Sequence, residues 1–214
     1  MATKPYKSIR IFESDFLERF THVHPITPLV VWTPVVIYLF WRGLEINHLA
    51  WSTSLILGIA GLFVWTFVEY FLHRHLFHLK GEKPWQQRLR FLIHGLHHDD
   101  PEDPTRLVMP PVAAIVLASL LYGFFRIFLG PVWIDPFFSC FLIGYLCYDY
   151  IHYAVHHFRP RTPIGKFLKQ SHMLHHFVNH ESRWGVSSPL WDIVFGTTGA
   201  DEQKGAPSHR PSSA

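Results

Sequence analysis

Four groups of histidine stand out as residues able to do chemistry: HRHLFH from His73, HGLHH from His94, HYAVHH from His152 and HMLHH from His172. A neutral imidazole can bind a metal through either ring nitrogen. Two of the groups share the pattern H-x-x-H-H, and positions i, i+3 and i+4 lie on one face of a helix. The spacing therefore predicts that His94, His97 and His98 converge on one point, and His172, His175 and His176 on another. His152 and His156 present a further face. His73 and His78 are five apart, about 140° round an ideal helix, so they meet only across a helix end or a bend. These ten imidazoles are too many for one ion and suit two. His75 and His157 face away from their neighbours and stay outside the ligand set.

Imidazole alone admits Zn, Cu, Fe or Ni. A structural zinc site closes with four ligands and usually includes cysteine. Cys140 and Cys147 instead lie together in an apolar run and read as packing thiols. If the chemistry is oxidation of an unactivated C–H bond, zinc has no redox state to offer, and iron with dioxygen is the natural choice. Metal-bound imidazoles need an acceptor for the other ring nitrogen. Glu69, Asp99, Asp149 and Asp192 are the carboxylates placed for that role. Arg106 either pairs with an acidic residue or touches a substrate headgroup. Asn179 and His180, just after the last group, are candidates to face substrate, whereas His22, His24, His48 and His209 read as interfacial.

The elements that must position these rings are apolar. Of 214 residues, 49% are hydrophobic, 16% aromatic and only 16% charged, against about 25% charged in ordinary soluble domains. That balance excludes a disordered chain, a strongly basic nucleic-acid binder and a small disulfide scaffold. The net charge of +3 is too small to name a partner. Four runs approach the roughly 20 residues that cross a bilayer: about 28–41, 50–72, 111–129 and 132–151. Four Lys/Arg precede the first run, six lie in 73–110 and seven follow the fourth, with Arg42 and Arg126 alone in the other two turns. The positive-inside rule then places both termini and all four histidine groups in the cytosol.

The expected fold is all-α, a membrane bundle of four spans under a cytosolic histidine-rich cap holding a dinuclear site. Its expected divisions are a cytosolic segment 1–25, an embedded domain 26–198 and a disordered tail 199–214.

The four histidine groups resemble the boxes of the membrane-bound fatty acid hydroxylase/sterol desaturase superfamily. The stretch from His97-His98-Asp99-Asp100 through Asp103-Pro104-Thr105-Arg106-Leu107-Val108-Met109-Pro110-Pro111 is similar, more narrowly, to fatty acid 2-hydroxylases. So are Tyr148-Asp149 and Trp184-Gly185-Val186-Ser187-Ser188 with Leu190-Trp191-Asp192, and the likeness covers about residues 20–198. The resemblance implies hydroxylation of C2 of a long acyl chain, free or in ceramide, with O2 and two electrons. It implies two iron ions, with zinc possible in purified protein, held by the same ten histidines: His73, His78, His94, His97, His98, His152, His156, His172, His175 and His176. His75 departs from the family, in which Phe is common. Residues 1–25 are too short for the cytochrome b5-like domain of eukaryotic members. Electrons are therefore expected from a separate donor, cytochrome b5-like or ferredoxin-like, and a bacterial inner membrane is expected over endoplasmic reticulum. The alternatives are a sterol or sphingoid-base hydroxylase, a lipid desaturase, or a metal-binding membrane protein without turnover.

Overall fold

The structure, a computed structural model, describes residues 8–199. The C-terminal tail expected to be disordered lies, beyond Gly199, outside the described residues. Those residues form helices and connecting loops, with no strand among them. The helices are α1 (Asp15–Arg19), α2 (Thr27–Trp41), α3 (Trp51–Leu72), α4 (Pro84–Arg90), α5 (Leu96–Asp99), α6 (Pro111–His157), α7 (Pro163–Phe177) and α8 (Leu190–Val194). Wider π-helical turns extend α2 over Arg42–Ile46, α3 over His73–Phe77 and α4 over Phe91–Gly95.

Three helices are long and apolar enough to cross a membrane: Thr27–Ile46, Trp51–Phe77 and Pro111–His157. The first of the expected runs is short, and the π turn is what lengthens it. The expected third and fourth runs are the two helical limbs of α6, separated at Gly130, whose φ of 70° breaks the helix. The Phe125 ring lies 5.2 Å from Phe137 and 5.4 Å from Phe141. Sixteen residues of straight helix would separate Phe125 from Phe141 by about 24 Å. The two limbs of α6 therefore double back on each other, giving four apolar limbs. The second limb also runs past its expected end, carrying His152 and His156 on regular helix.

Close backbone approach brings α3 against α6. A Cβ on Gly61 would sit 2.0 Å from the Phe137 carbonyl oxygen, and one on Gly144 would sit 2.6 Å from the Trp65 ring. Small residues allow this contact where lipid offers helices no hydrophobic drive to associate. Trp65 fills the seam, edge-on to Phe141 at 5.1 Å and to Tyr145 at 5.6 Å. At the end of the bundle remote from the histidines, Asp135 is fully buried. It accepts from Arg42 Nε at 2.8 Å, Asn47 Nδ2 at 2.9 Å and the Tyr122 hydroxyl at 3.0 Å. A carboxylate at this depth is tolerated only with such partners, and these tie α2, the following loop and both α6 limbs together.

Gly61→Leu is expected to destabilise the bundle by about 3 kcal/mol or more through overpacking. Gly123→Leu, where a Cβ meets open space, should leave it unchanged. Thermal unfolding in detergent, followed by size-exclusion chromatography, separates the two.

Candidate metal centre

The misfit between His73 and His78 is resolved by the backbone. His73–Phe77 winds as a π turn, and the His78 N–H donates to the His73 carbonyl at 3.2 Å. This i→i+5 turn brings residues five apart to one side, and the two rings lie 5.1 Å apart. His94 sits in a second such turn, Phe91–Gly95.

The structure gathers all ten histidines into two groups. His73, His78, His94, His98 and His175 form one; His97, His152, His156, His172 and His176 form the other, and within each group one nitrogen per ring lies within 4.8 Å of the rest. The H-x-x-H-H motifs behave differently from expectation. Each was expected to converge on a single point, and each divides. His94 and His98 enter the first group while His97 enters the second; His172 and His176 enter the second while His175 enters the first. The reason is helical geometry: i and i+4 differ by about 40°, whereas i+3 lies about 100° from i+4. With two centres side by side, the i+3 ring addresses the neighbouring one, so each motif stitches both groups together.

Within the groups, Nε2 atoms face one another. The separations are 3.2 Å for His73–His94 and for His78–His175. They are 2.9 Å for His97–His152, 3.1 Å for His97–His176 and 2.9 Å for His156–His172. Nitrogens at right angles around an ion, with bonds of about 2.1 Å, would be about 3.0 Å apart. The donor set thus fits a cation at each centre. Both nitrogens of His98 are buried without a hydrogen-bond partner. Burial, reinforced by the imidazoles nearby, pushes the His98 pKa down to about 3. Burial, with His73 beside it, lowers His175 to about 2. Burial first, then neighbouring rings, also holds His94, His97 and His172 well below the usual histidine range. These rings are therefore neutral, the form that ligates metal.

The expected carboxylate acceptors do not touch the rings; backbone carbonyls do. His73 Nδ1 donates to the Trp184 carbonyl at 2.5 Å and His175 Nδ1 to that of Ser182 at 2.7 Å, which turns each Nε2 lone pair inward. The carboxylates act one step further out. Glu69 accepts from the Val186 and Ser187 amides at 2.8 Å each and from the Ser187 hydroxyl. Asp192 accepts from the Trp184 and Gly185 amides at 2.9 and 2.8 Å. Together they clamp segment 182–187, which lays the Trp184 ring 4.9 Å from His78 and 5.3 Å from His175. Asp99 is exposed and Asp149 is buried, and neither is hydrogen-bonded to a histidine among the described residues.

Arg106 pairs with acid rather than reaching for a headgroup. It is 2.6 Å from Glu18 and 3.4 Å from Asp103, and His22 joins the cluster at 3.0 Å from its guanidinium. The 8–26 segment is thereby strapped over the loop that follows α5. His24, expected to be interfacial, accepts the Ile26 amide, and His48 is exposed; His209 lies outside the described residues. His75 is exposed against Phe71, and His157 is half-buried against Tyr153. His180 is exposed, its ring 5.0 Å from His98, and the Asn179 side chain accepts the Glu181 amide at 2.7 Å.

Beside the histidines lies a narrow apolar cavity, bounded by α2, α3 and both limbs of α6. Ala114, Leu117, Ala118 and Leu121 form one wall. Phe77 and Tyr148 stand at the histidine end, stacked on His94 at 5.4 Å and on His152 at 5.7 Å.

Residues 58–197 match the fatty acid hydroxylase family. The chain belongs to that family. A dihydroceramide fatty acyl 2-hydroxylase of Arabidopsis thaliana is 38% identical over 188 residues, covering 88% of this chain and 79% of the relative. The fatty acid 2-hydroxylase of Rattus norvegicus is 35% identical over 89% of this chain and 57% of its own length. A ceramide very long chain fatty acid hydroxylase of Saccharomyces cerevisiae is 38% identical over 86% of this chain and 48% of its own. The solved structure of full-length Scs7p, with only the hydroxylase domain visible, superposes with a TM-score of 0.81 at 38% identity, over 86% of this chain and 69% of that one. These named relatives are eukaryotic, so the expectation of a bacterial membrane draws no support from them.

Glu69→Ala should release segment 182–187 and lower the melting temperature, whereas Asp99→Ala should not. Depressed histidine pKa values set the sign of a pH effect. Below about pH 6.5 the unfolded chain takes up protons that the folded rings refuse, so stability falls by roughly 1.4 kcal/mol per pH unit for each such histidine. Metal-free protein should therefore melt far lower at pH 5.5 than at pH 7.5, and a flat profile would contradict the burial described.

Proposed function

We propose that this hydroxylase is a dinuclear-metal monooxygenase acting on C2 of a long-chain fatty acyl group, free or in a ceramide. One observation carries the reading: two five-imidazole groups sit at the end of an apolar cavity sunk into the helices that cross the membrane. His73, His78, His94, His98 and His175 would hold one ion, and His97, His152, His156, His172 and His176 the other. Two iron ions bound there would supply the redox chemistry that inserts one oxygen atom of O2 into a C–H bond.

The chain's own residues supply position and dryness. The acyl tail lies along Ala114, Leu117, Ala118 and Leu121, and Phe77 and Tyr148 steer its proximal carbons between the two groups. A carbon beside a carboxyl or amide stays near the headgroup level, where the ends of α3 and α6 place the rings. That favours C2 over a carbon deep in the tail. The balance is acyl C–H plus O2, two electrons and two protons giving C–OH and water. The electrons come from a donor protein, cytochrome b5-like or ferredoxin-like. Residues 26–198 form the embedded domain, with both termini and the histidine cap on the cytosolic side. The 2-hydroxylases among its relatives favour this reading over a desaturase or sterol hydroxylase.

Lipid extracts from cells expressing the chain should contain acyl groups one oxygen heavier, with the hydroxyl at C2 by chromatography against standards. His97→Ala and His175→Ala should each abolish that product while the protein stays in the membrane fraction, and metal analysis should find two ions per chain before substitution. A product two hydrogens lighter, or a hydroxyl elsewhere, overturns the assignment. Ala118→Phe should lower conversion of long acyl chains about tenfold, equivalent to about 1.4 kcal/mol, by filling the cavity.

A further inference from the structure

The short helix α8 sits beside the membrane-crossing part of α3 rather than above it. Trp191 donates through Nε1 to the Thr66 hydroxyl at 2.9 Å, and its ring lies 5.8 Å from Phe63 and 5.0 Å from Phe67. Phe195 stacks on Tyr70 at 5.3 Å. Phe63 is ten residues before His73, about 15 Å back along the helix axis towards the bilayer centre. Asp192 points inward and is 2% exposed, while Ile193, Val194 and Phe195 turn outward, 65%, 58% and 50% exposed. That outward face continues the bare apolar side of α3 formed by Ile59, Phe63 and Phe67. A surface continuous with the flank of a membrane-crossing helix, at that depth, meets acyl chains.

We propose that α8 is a membrane-inserted wedge, its outward face bathed in lipid acyl chains, and that this seating holds segment 182–187 in place. The link is Asp192. It belongs to the wedge and accepts the Trp184 and Gly185 amides, and the Trp184 and Ser182 carbonyls orient His73 and His175. The bilayer is thus part of the scaffold around the histidines, independent of which metal they bind and of what is hydroxylated. An outward apolar face of this kind lies in the headgroup and acyl boundary of a bilayer, while Asp192 is turned into the protein.

The test uses the full chain in phosphatidylcholine vesicles. With Cys140 and Cys147 replaced by alanine, Val194→Cys carries a bimane, and Glu82→Cys on the exposed cap serves as reference. A nitroxide borne on the lipid acyl chain should quench the label at 194 more strongly than aqueous iodide does, with the order reversed at 82. Hydrogen exchange then reads the coupling: Val194→Asp should speed exchange of the 182–187 amides, and Val194→Leu should leave it unchanged. Iodide quenching at 194 equal to that at 82 overturns the insertion. So does shielding from both quenchers that disappears on dilution, which would place a second copy of the chain on this face. Unaltered exchange in Val194→Asp overturns the coupling.

Discussion

Ten imidazoles gathered within a few ångströms of one another, seven buried and three half-buried, impose the constraint on which the rest of this structure depends. Each ring leaves water with two polar nitrogens, and a buried nitrogen without a partner costs about 1–3 kcal/mol. Protonation offers no relief, because like charges at 3 Å in a low-dielectric interior repel strongly. The rings must remain neutral, with their Nε2 lone pairs aimed at shared centres. A cation shared by five such lone pairs offsets the cost, which is the physical content of reading the two groups as metal sites.

Holding that arrangement takes three layers. The long helices α3 and α6 bring His73, His152 and His156 to one end of the bundle, and the tight seam at Gly61 and Gly144 keeps those helices in register. The π turns after α3 and α4 then re-aim His78 and His94 by a fraction of a turn. Finally, segment 182–187 offers carbonyls to His73 and His175, with Glu69 and Asp192 gripping its amides. The same helices leave an apolar cavity beside the rings, so the scaffold that carries the ligands also shapes the space for an acyl chain.

Much of this was legible in the residues. The ten histidines, their division among four groups and their distance from the cysteines needed only spacing and residue chemistry. The apolar runs were legible because lipid demands long uninterrupted stretches. The acceptors for His73 and His175 were not, because a backbone carbonyl has no sequence signature; of the four visible carboxylate candidates, Glu69 and Asp192 act through the loop. Arg106 was ambiguous for a related reason, since Glu18 lies 88 positions away and only folding brings the pair to 2.6 Å. The doubling of α6 at Gly130 was visible as two separate apolar runs.

By itself the sequence determined which residue types would be gathered and that they would sit at the ends of apolar helices. Tertiary structure alone decided which ring belongs to which centre. Helical periodicity places i, i+3 and i+4 on one broad face, which accommodates one centre or two. With two centres side by side, the i+3 rings His97 and His175 turn to the neighbouring group. Placing two centres side by side takes segments distant in the chain, and local spacing does not encode it.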